Sequence, residues 1–589
     1  MKNSIHIKTN THSDALAPHS PNAPVHPPGG DRLSEPTLLS GSFVMALFSR
    51  PRYLLFSGLI VGLHLLSVCT SDIQEDAYIT FRTAFNLADH GELSFNLQEG
   101  YSGATSVLYS LLVFILRKAM GNHAISALLT INALATITGA WLAARVLHDA
   151  FAMGRVASGF TIFFVLSILP VSLLLSARGM ETPHVILLFM FGIYGAYFKK
   201  GKAFEIVPIL LLPLVRIDAI AYAILCSALA LSLRPKHSKA IALAFIGALV
   251  LTATANQIIY DTFLPHTVSA KIQASASQTG LPSLAQNMSR LFTTTLFYPV
   301  NTRFFAPIWL LFSALAICVF AGVCHRYRQS TSPTQRRTIL CLSIATIAIP
   351  MAYAFTGAFF EWYFWPSQFL FQSLFFVVAY YFVAHIAAAM RFGSRALKAI
   401  LFTGLFTYLT ATVILQLTLS YSHGVQESEY RASVGRFIHS VAHPDDTLFL
   451  EPAGYIPFFA QLKTIDEVGL ASPVVLKYKK RYPKRWWIAL LQNEKPTFLV
   501  QRAHILEHTT YQGYSMTAAE AQWFDRTYQL VRTFQYRPQQ YASHAALLPI
   551  LKLGSHASYY VFRLKKGEAE VAPRLPNRKP QRAITEFKQ

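Results

Sequence analysis

The chain has 589 residues, of which 53% are hydrophobic and only 14% are charged, whereas an average globular chain carries about 25% charged residues. This shortage of charge excludes a disordered protein and argues against a purely soluble enzyme. The net charge of +22 is therefore interpreted first through membrane topology and anionic lipid, before nucleic acid. The five cysteines lie in apolar runs without paired spacing, so they indicate packing residues and neither a zinc site nor a disulfide framework.

The N-terminal part combines a polar tail with a first apolar run. Residues 1–40 are rich in Pro, Ser, His and Asn, which predicts a disordered cytoplasmic tail. The apolar run Tyr53–Val68 follows Arg50 and Arg52, so we expect a first membrane span that starts in the cytoplasm. It begins too late for an ordinary cleaved signal peptide. Further apolar runs occupy 105–119, 123–144, 156–176, 183–198, 204–215, 218–233, 239–259, 305–324, 338–357, 368–390 and 397–420.

Basic clusters mark the cytoplasmic ends of these runs. They lie at Arg145 and Arg155, 199–202, 234–239, 326–337 and 391–398. The segments that must then face outside are 71–104, 177–182, 216–218, 260–304 and 358–367. Two apolar runs separate the outer segment 71–104 from the inner Arg145, so we expect the short run 105–119 to be a partial or re-entrant helix. The short runs on either side of Arg216 are either full crossings or broken half-spans.

The character of the sequence changes after residue 420. Residues 421–565 are mixed and contain strand-like runs at Thr447–Leu450, Thr497–Val500 and Tyr559–Leu564, bounded by Pro and Gly, which predicts a soluble α/β domain. Residues 566–589 form a charged tail. The predicted fold is thus an α-helical polytopic membrane protein with about eleven transmembrane helices over residues 50–420, followed by a C-terminal extracytoplasmic α/β domain. We expect a bacterial inner (plasma) membrane location, with a cytoplasmic N-terminus and a periplasmic C-terminal domain.

The acidic residues of the apolar part are unevenly distributed. Of the twelve between residues 50 and 420, only Asp149 and Glu205 fall on the inner side. Acids are costly near a membrane, so their concentration in short outer loops favours an outward-facing polar site over plain solvation of these loops. Glu181 is three residues from Arg178, and Asp218 is two residues from Arg216, a spacing that favours charge pairs on a shared face.

The segment 72–106 carries the most specific pattern. This segment overlaps the expected first external loop, 71–104, and includes the adjacent residues Glu75 and Asp76. Adjacent side chains on a helix point about 100° apart, so only one of the two carboxylates can face a given ligand. The motif residues are Glu75-Asp76-Ala77-Tyr78-Ile79-Thr80-Phe81-Arg82, Asn86-Leu87, Gly91, Phe95-Asn96 and Gly100-Tyr101-Ser102-Gly103-Ala104-Thr105-Ser106. They resemble the first external loop of the multi-span GT-C glycosyltransferases, in particular those like the mycobacterial terminal arabinofuranosyltransferase.

More stretches resemble this family in the same order along the chain. They are 176–183, 214–218 and 260–271, followed in the soluble part by 454–457 and 466–470. The chain departs from the family pattern at Glu75, which replaces an aspartate, at the inserted residues 102–104, at Ile217, which replaces a proline, and at His266, which replaces an asparagine.

The resemblance implies an inverting transferase that moves a sugar, with a pentose such as arabinofuranose as one option, from a polyprenyl-phosphate donor to a cell-envelope glycan or glycolipid at the outer face. Such a site needs a carboxylate for the acceptor hydroxyl, worth about 10²–10⁴-fold as a general base, and cations for the phosphate. Asp76 is the expected base. Glu75 is the close alternative, or else orients a neighbour or binds a metal. The expected donor-site residues are Arg82, Arg178, Glu181, Arg216, Asp218, His266, Lys271 and Trp362.

Several interpretations compete with this one. A polytopic transporter or a lipid-linked glycan flippase also needs many spans and buried charges, and a scaffold is a third class. Arg178 and Glu181 are equally well explained as a structural pair, and Trp362 as part of an interfacial aromatic belt. The basic run 477–485 is expected to meet anionic glycan or lipid headgroups, or to be simply solvated. Membrane lipids are expected partners and nucleic acid is not. No cofactor is predicted, and a divalent metal is allowed but not indicated.

Overall fold

The structure is a computed structural model, and it describes residues 51–153, 159–260, 262–263, 267, 309–330, 332–356, 361–389, 394–502, 510–511, 514–535 and 558–565. Residues 1–58 and 59–589 form two separate compact units. Of the first unit, the structure describes only the start of one helix. The expected tails at 1–40 and 566–589, and the candidate residues His266 and Lys271, lie outside the described residues.

The part before residue 427 is helical wherever it is described with regular structure. Its helices are α1 (Pro51–Cys69), α2 (Glu75–His90), α3 (Val107–Met120), α4 (Ala124–Ala150), α5 (Gly159–Ile168), α6 (Pro170–Ala177), α7 (Thr182–Tyr197), α8 (Ala203–Val215), α9 (Ile220–Leu233), α10 (Ser238–Tyr260), α11 (Trp309–Gln329), α12 (Pro333–Thr356), α13 (Trp365–Ala389) and α14 (Ser394–Gln426). Short 3₁₀ turns occur at Gly121–His123, Ile217–Ala219, Pro235–His237 and Glu361–Tyr363, and a π-turn at Glu427–Arg431 follows α14.

Many of these helices are apolar. Within the described ranges, the segments long and apolar enough to cross a membrane are Val107–Ala150, Pro235–Ile259 and Trp365–Val383. The bent pair α5 and α6, which meet at 56°, would add a fourth span. Shorter apolar helices lie at Leu54–Cys69, Thr182–Tyr197, Ala203–Val215 and Ile217–Leu233. The chain is therefore mostly helical with several apolar helices, and the count of about eleven crossings stays a prediction.

Two of the helical segments are hairpins. The Nδ2 atom of Asn132 in α4 lies 3.0 Å from the hydroxyl of Tyr109 in α3, which is possible only if the chain turns back near Gly121, since a straight helix rises 1.5 Å per residue. Likewise, Glu205 in α8 lies 3.2 Å from Arg234, just after α9. Helices α8 and α9 are each about 20 Å long, which fits the half-span interpretation. Arg216 lies at the tip of this second hairpin.

The basic loops meet at the end of the molecule opposite to this tip. The Glu205 carboxylate there is fully buried and lies 2.7 Å from the Nδ1 atom of His237. Arg326 lies 4.0 Å from the ring of Tyr381. Hydrogen bonds connect the loops as follows: Arg326 to Phe151 O (2.8 Å), Gln335 to Asp149 O (2.9 Å), Arg234 to Lys200 O (3.2 Å) and Arg337 to Ser232 O. Four of the five regions that the sequence assigns to the cytoplasmic side, those around residues 145–155, 199–202, 234–239 and 326–337, are thus connected to one another.

The part after residue 427, called the sheet part below, contains a mixed sheet. Its elements are α15 (Ala432–Val441), β1 (Thr447–Leu450), α16 (Tyr455–Ala460), β2 (Lys463–Asp466), α17 (Pro473–Arg481), α18 (Trp486–Glu494), β3 (Phe498–Gln501), β4 (Thr510–Tyr511), β5 (Tyr514–Ser515), α19 (Ala518–Thr527), β6 (Tyr528–Phe534) and β7 (Tyr559–Leu564). The five-stranded sheet has the order β2-β1-β3-β7-β6, and β4 pairs with β5 separately. Strand β1 is parallel to β2 and β3, while β7 is antiparallel to both of its neighbours.

Both faces of the sheet are covered, as its sequence requires. Because side chains alternate along a strand, Phe449 and Leu499 pack with α17, α18 and α19 on one face. Leu448 and Val500 pack with α15 and α16 on the other. Parallel strands buried on both faces read as continuous apolar runs, which explains why β1 lies at the residues that the sequence indicates. The antiparallel strand β7 is largely buried and also lies where the sequence indicates.

The segment 71–104, which the sequence predicts to be the first external loop, docks on the edge strand of this sheet. The Oδ1 atom of Asn96 accepts the backbone N–H of Thr464 at 2.9 Å, and its Nδ2 atom donates to Thr464 O at 2.7 Å. Lys463 lies 2.7 Å from Glu99. The side chain of Asn96 therefore binds the backbone of strand β2 as a neighbouring strand would. It covers part of a sheet edge whose N–H and C=O groups would otherwise be unpaired.

Candidate functional site

A cavity of about 130 Å³ lies where the tips of several helices meet α2 and the sheet part. Residues from eight stretches of the chain line it. Five of these residues carry a charge or an aromatic ring that the sequence singled out: Asp76, Glu181, Arg216, Asp218 and Trp362. The other residues of its wall are Ile79, Thr80, Gly103, Ala104, Thr105, Met180, Ile217, Thr267, Tyr353, Tyr363 and Leu470. The fold thus brings together half of the ten candidate residues.

Arg216 is the central cation of the described wall. It is 4% exposed, and its Nε and Nη2 atoms donate to the two carboxylate oxygens of Asp218 at 2.7 and 2.6 Å. Its Nη1 atom donates to Thr182 at 3.4 Å, and Nε lies 3.7 Å from Glu181. A guanidinium has five N–H groups, so two are left for an anionic ligand among the described contacts. The expected pairing of Arg216 with Asp218 is present.

The loop that carries Glu181 is held by the first hairpin. Tyr109 donates its hydroxyl to Gly179 O at 2.9 Å, and Asn132 donates to Met180 O at 3.1 Å. Both donors are buried inside the helical part, where an unpaired polar group would be costly. These bonds fix the short turn between α6 and α7, and with it the position of Glu181 in the cavity wall.

Asp76 lies in the first turn of α2 and is half-buried. The opposite wall is formed by the loop before α3 and by the loop after β2, which meet at Gly103. This glycine has φ +70°, and a Cβ added to it would lie 3.0 Å from Ala471 Cβ. Only glycine adopts that conformation readily at such a close approach. Gly103 therefore lets Leu470 reach the cavity beside Asp76.

Glu75 lies outside the described cavity wall. Its Oε1 atom accepts the backbone N–H groups of Gly454 at 2.7 Å and Tyr455 at 2.9 Å, and its Oε2 atom lies 2.8 Å from Arg431 Nη1. Glu75 and Asp76 therefore have separate surroundings, as their adjacency on a helix requires. Of the two candidates for the base, only Asp76 faces the cavity.

Arg82 and Arg178 do not line the described part of the cavity wall, and their place in the donor site stays a prediction. Arg82 donates to three backbone carbonyl oxygens, Phe95 O, Pro457 O and Leu462 O, and to the side chain of Asn96. These bonds tie α2 to the sheet part. With the hydroxyl of Thr464 at 3.5 Å as a fifth acceptor, these bonds favour a structural role for Arg82.

Arg178 forms an ion pair with Asp72 at 3.1 Å. Its Nη1 atom donates to Gln74 at 3.2 Å. Burial alone would raise the pKa of the Asp72 carboxyl, but Arg178 and His423 outweigh it and hold that pKa below its ordinary value. The pair joins the start of α2 to the turn before α7. Its location favours the structural explanation of Arg178 over a role in ligand binding.

Aromatic side chains close one side of the cavity. The ring of Tyr363 lies 4.8 Å from the Arg216 guanidinium and stacks on the ring of Tyr353 at 4.5 Å. The hydroxyl of Tyr353 donates to Asp218 at 2.8 Å. Trp362 belongs to the same wall. A flat aromatic surface beside paired charges is a surface on which a sugar ring can stack, and this location goes beyond a simple interfacial belt.

Sequence patterns alone did not indicate several wall residues. Tyr353 belongs to an apolar run without a local motif, whereas Thr80 and Leu470 lie in stretches that resemble the family but are not among the candidate residues. Tyr363 follows Trp362 directly, so the aromatic run itself was the available signal. Thr267 lies inside the segment 260–271 that resembles the family, and its Oγ1 atom is buried without a hydrogen-bond partner among the described residues.

Two further expectations concern a metal ion and the segment 260–271. Among those residues, no group of three or more His, Cys, Asp or Glu side chains could hold a metal ion. His266 and Lys271 lie outside the described residues, whereas Thr267, next to His266 in the chain, lines the cavity. In the basic run, Lys477, Lys480 and Arg481 are exposed residues of α17.

Comparisons with known proteins add two findings. A family model described as a domain of unknown function (DUF8728) matches residues 419–557, which is less than a quarter of the chain. Two crystal structures of ArnT from Cupriavidus metallidurans are similar to the chain. The apo structure has 11% sequence identity and a TM-score of 0.46, and the similarity covers 91% of this chain and 100% of that chain.

The second ArnT structure, bound to undecaprenyl phosphate, has 10% identity and a TM-score of 0.48, with 86% of this chain and 97% of that chain covered. No curated protein sequence matches the chain. At identities of 10–11% and TM-scores below 0.5, neither a family nor an activity follows from this similarity. The case for function rests on the chain's own residues.

Proposed function

We propose that the protein is an inverting glycosyltransferase of the GT-C type, which takes a sugar from a polyprenyl-phosphate donor at the outer face of the bacterial inner membrane. The observation that carries the proposal is the shared cavity of Asp76 and Arg216. It combines a carboxylate that can accept a proton with a cation that retains N–H groups for a phosphate. These are the two functions that transfer from a lipid phosphate to a hydroxyl requires.

Asp76 is the proposed general base. In an in-line attack, the acceptor hydroxyl gives its proton to Asp76 while its oxygen bonds to the anomeric carbon. The bond from that carbon to the phosphate oxygen breaks on the opposite face, and the polyprenyl phosphate leaves with the electron pair. A single displacement with Asp76 as the base gives inversion, whereas retention by a double displacement would need a nucleophilic carboxylate as well. The other two carboxylates of the described wall, Glu181 and Asp218, lie against Arg216.

The leaving phosphate needs more cations than the described wall supplies. That wall contains three carboxylates, Asp76, Glu181 and Asp218, and one guanidinium, Arg216. Asp218 already accepts two hydrogen bonds from Arg216. Thr267 lines the cavity, and His266 and Lys271 are within four residues of it in the chain. They are therefore the proposed additional phosphate ligands, because four residues span at most about 14 Å.

The distribution of basic loops supports the proposed orientation. The loops that contain Arg234, Arg326 and Arg337 are in mutual contact, at the hairpin end opposite to Arg216. Basic loops favour the cytoplasm. The cavity then opens toward the outer face, and the sheet part, whose Leu470 lines the cavity, is extracytoplasmic.

The resemblance of the external loops supports a pentose such as arabinofuranose as the sugar and a cell-envelope glycan or glycolipid as the acceptor. The test uses the purified full chain in detergent with a panel of polyprenyl-phosphate sugars and measures donor consumption and the configuration of the product. We expect one donor to be consumed with inversion. Failure of every donor, combined with movement of a lipid-linked sugar across vesicles that contain the protein, would contradict the proposal.

A further inference from the structure

We propose that Arg431 and the Gly454–Tyr455 turn act on the reaction by fixing Glu75, so that Glu75 and Arg431 are positioning residues for Asp76. Glu75, Arg431, Gly454 and Tyr455 are called the clamp below. The inference rests on the proposed function, because it assigns Asp76 as the base. The inference gives the sheet part, which follows α14 and contacts the start of α2, a role in the reaction.

The clamp gives the carboxylate of Glu75 three hydrogen bonds. Oε1 accepts two backbone N–H groups, from Gly454 at 2.7 Å and from Tyr455 at 2.9 Å. Oε2 accepts Arg431 Nη1 at 2.8 Å. The side chain of Glu75 is 11% exposed and that of Arg431 is 13% exposed. Breaking such a buried pair leaves an uncompensated charge, which is strongly unfavourable, so the pair holds one geometry.

The backbone around Glu75 is fastened as well. Tyr455 donates its hydroxyl to Ile73 O at 3.0 Å, and the N–H of Gln74 donates to Arg178 O at 2.9 Å. A Cβ added at Gly454 would clash with the carbonyl oxygen of Glu75. The clamp therefore reaches the main chain of α2, and a glycine is needed where the two segments meet.

Arg431 is itself held by the sheet part. Its Nε atom donates to the hydroxyl of Tyr559 in β7 at 3.1 Å and lies 3.3 Å from Glu427. Arg431 ends the π-turn Glu427–Arg431 that follows α14. A chain of contacts thus runs from strand β7 through Arg431 and Glu75 to the first turn of α2, where Asp76 is the next residue.

This arrangement links the sheet part to the base without any contact between the clamp and the ligand. Residues 73–75 set where α2 begins, and Asp76 must lie within hydrogen-bond reach of the acceptor hydroxyl. A shift of about 1 Å in such a group can cost on the order of 10²-fold in rate. Loss of the clamp should therefore lower kcat while the donor, which is bound by other residues, keeps its KM.

The test compares Glu75→Gln, Arg431→Gln and the double variant with the parent, as full chains in detergent. The matched control is Lys463→Gln, because Lys463 and Glu99 form a different ion pair, 2.7 Å long, between the same external loop and the sheet part. We expect each single clamp variant to lose about 10-fold or more in kcat, with a donor KM within about 2-fold of the parent. The double variant should lose no more than the worse single variant, and Arg431→Lys should recover part of kcat.

A second readout does not require transfer. Hydrogen exchange of the α2 amides, followed by mass spectrometry, should speed up in Arg431→Gln and stay at the parent level in Lys463→Gln. Parent-level kcat and exchange in both clamp variants would overturn the proposal, as would kcat losses that simply add in the double variant. If the parent transfers no sugar, the proposed function fails, while the exchange experiment still decides whether the clamp holds α2.

Discussion

Glu75 and Asp76 are consecutive residues of α2, yet their carboxylates face different surroundings. Glu75 accepts the N–H of Gly454 at 2.7 Å, whereas Asp76 lines the cavity that contains Arg216. Successive side chains on a helix point about 100° apart, so one residue can connect α2 to the sheet part while the next faces a ligand. An acidic pair at the start of a helix therefore serves two separate purposes here.

The pair of Arg216 with Asp218 leads to a prediction for the phosphate site. Arg216→Lys keeps the charge but loses the planar fork that binds both oxygens of Asp218. We expect donor KM to rise about 10-fold, since a charge-assisted hydrogen bond is worth roughly 1.5–3 kcal/mol. The control is Arg234→Lys, which changes a partly buried arginine paired with Glu205 at the opposite end. Equal donor KM values in the two variants would remove Arg216 from the donor site.

Lys271 provides an independent test of the segment that contains Thr267. Lys271→Ala removes a cation that the phosphate needs, because the described wall has more carboxylates than cations. Donor affinity should weaken while acceptor KM changes little. Binding of a radiolabelled donor, measured by equilibrium filtration, checks this. A variant with the donor affinity of the parent would exclude Lys271 from the phosphate site.

Sequence patterns predicted the residues that line the cavity better than the contacts that hold α2 against the sheet part. Glu181, Arg216, Asp218 and Trp362 all lie in short loops between apolar runs, and helical hairpins bring such loops to one end. The partners of Glu75 and Arg82 could not be found this way. Arg431 is 356 positions from Glu75, and Arg82 binds backbone carbonyls of the sheet part, which leave no side-chain signal in a sequence.

The strands show a similar division. Strands β1 and β3 could be predicted because both are buried apolar runs. Strand β1 begins and ends as expected, and β3 is shifted by one residue from the expected Thr497–Val500. Edge strands β2 and β6 were not anticipated. Both carry polar residues, since β2 includes Lys463 and Asp466 and β6 is largely exposed. Their pairing depends on neighbours that no local pattern encodes.

Glu467 gives a pH-dependent prediction for the sheet part. Burial, followed by the nearby charge of Glu451, raises its pKa from 4.5 to about 8. Below pH 4.5 the folded and unfolded chains both hold the proton. Between pH 4.5 and 8 only the folded chain keeps it, so ionisation of Glu467 lowers the stability of the fold progressively as pH rises.

The neutral variant Glu467→Gln lacks this titration. Its Tm, minus that of the parent, should therefore become more positive from pH 5 to pH 9. Thermal unfolding in detergent, followed by tryptophan fluorescence, measures the difference. The control is Lys480→Gln, a change at an exposed residue of α17. Its Tm, minus that of the parent, should stay constant over the same pH range. A pH-independent Tm difference for Glu467→Gln would contradict a raised pKa at this residue.

The proposed orientation predicts which ends of the molecule are accessible in intact spheroplasts. Lys480→Cys lies in the exposed basic run, and Lys202→Cys lies in an exposed loop between α7 and α8. A membrane-impermeant maleimide should label the first and leave the second unlabelled until the membrane is opened, after subtraction of the signal from the five native cysteines. Labelling of the Lys202→Cys variant but not of the Lys480→Cys variant would contradict the proposed orientation and indicate the opposite one.

The transfer rate of Asp76→Asn tests the central claim most directly. The substitution keeps the size of the side chain and removes the proton acceptor, so transfer should fall by about 10²-fold or more while donor affinity stays near that of the parent. Glu75→Gln should cost less, because Gln still accepts the two backbone N–H groups of Gly454 and Tyr455. The rates are compared at equal protein and saturating donor. An Asp76→Asn variant that transfers sugar at the rate of the parent would contradict the assignment of Asp76 as the base.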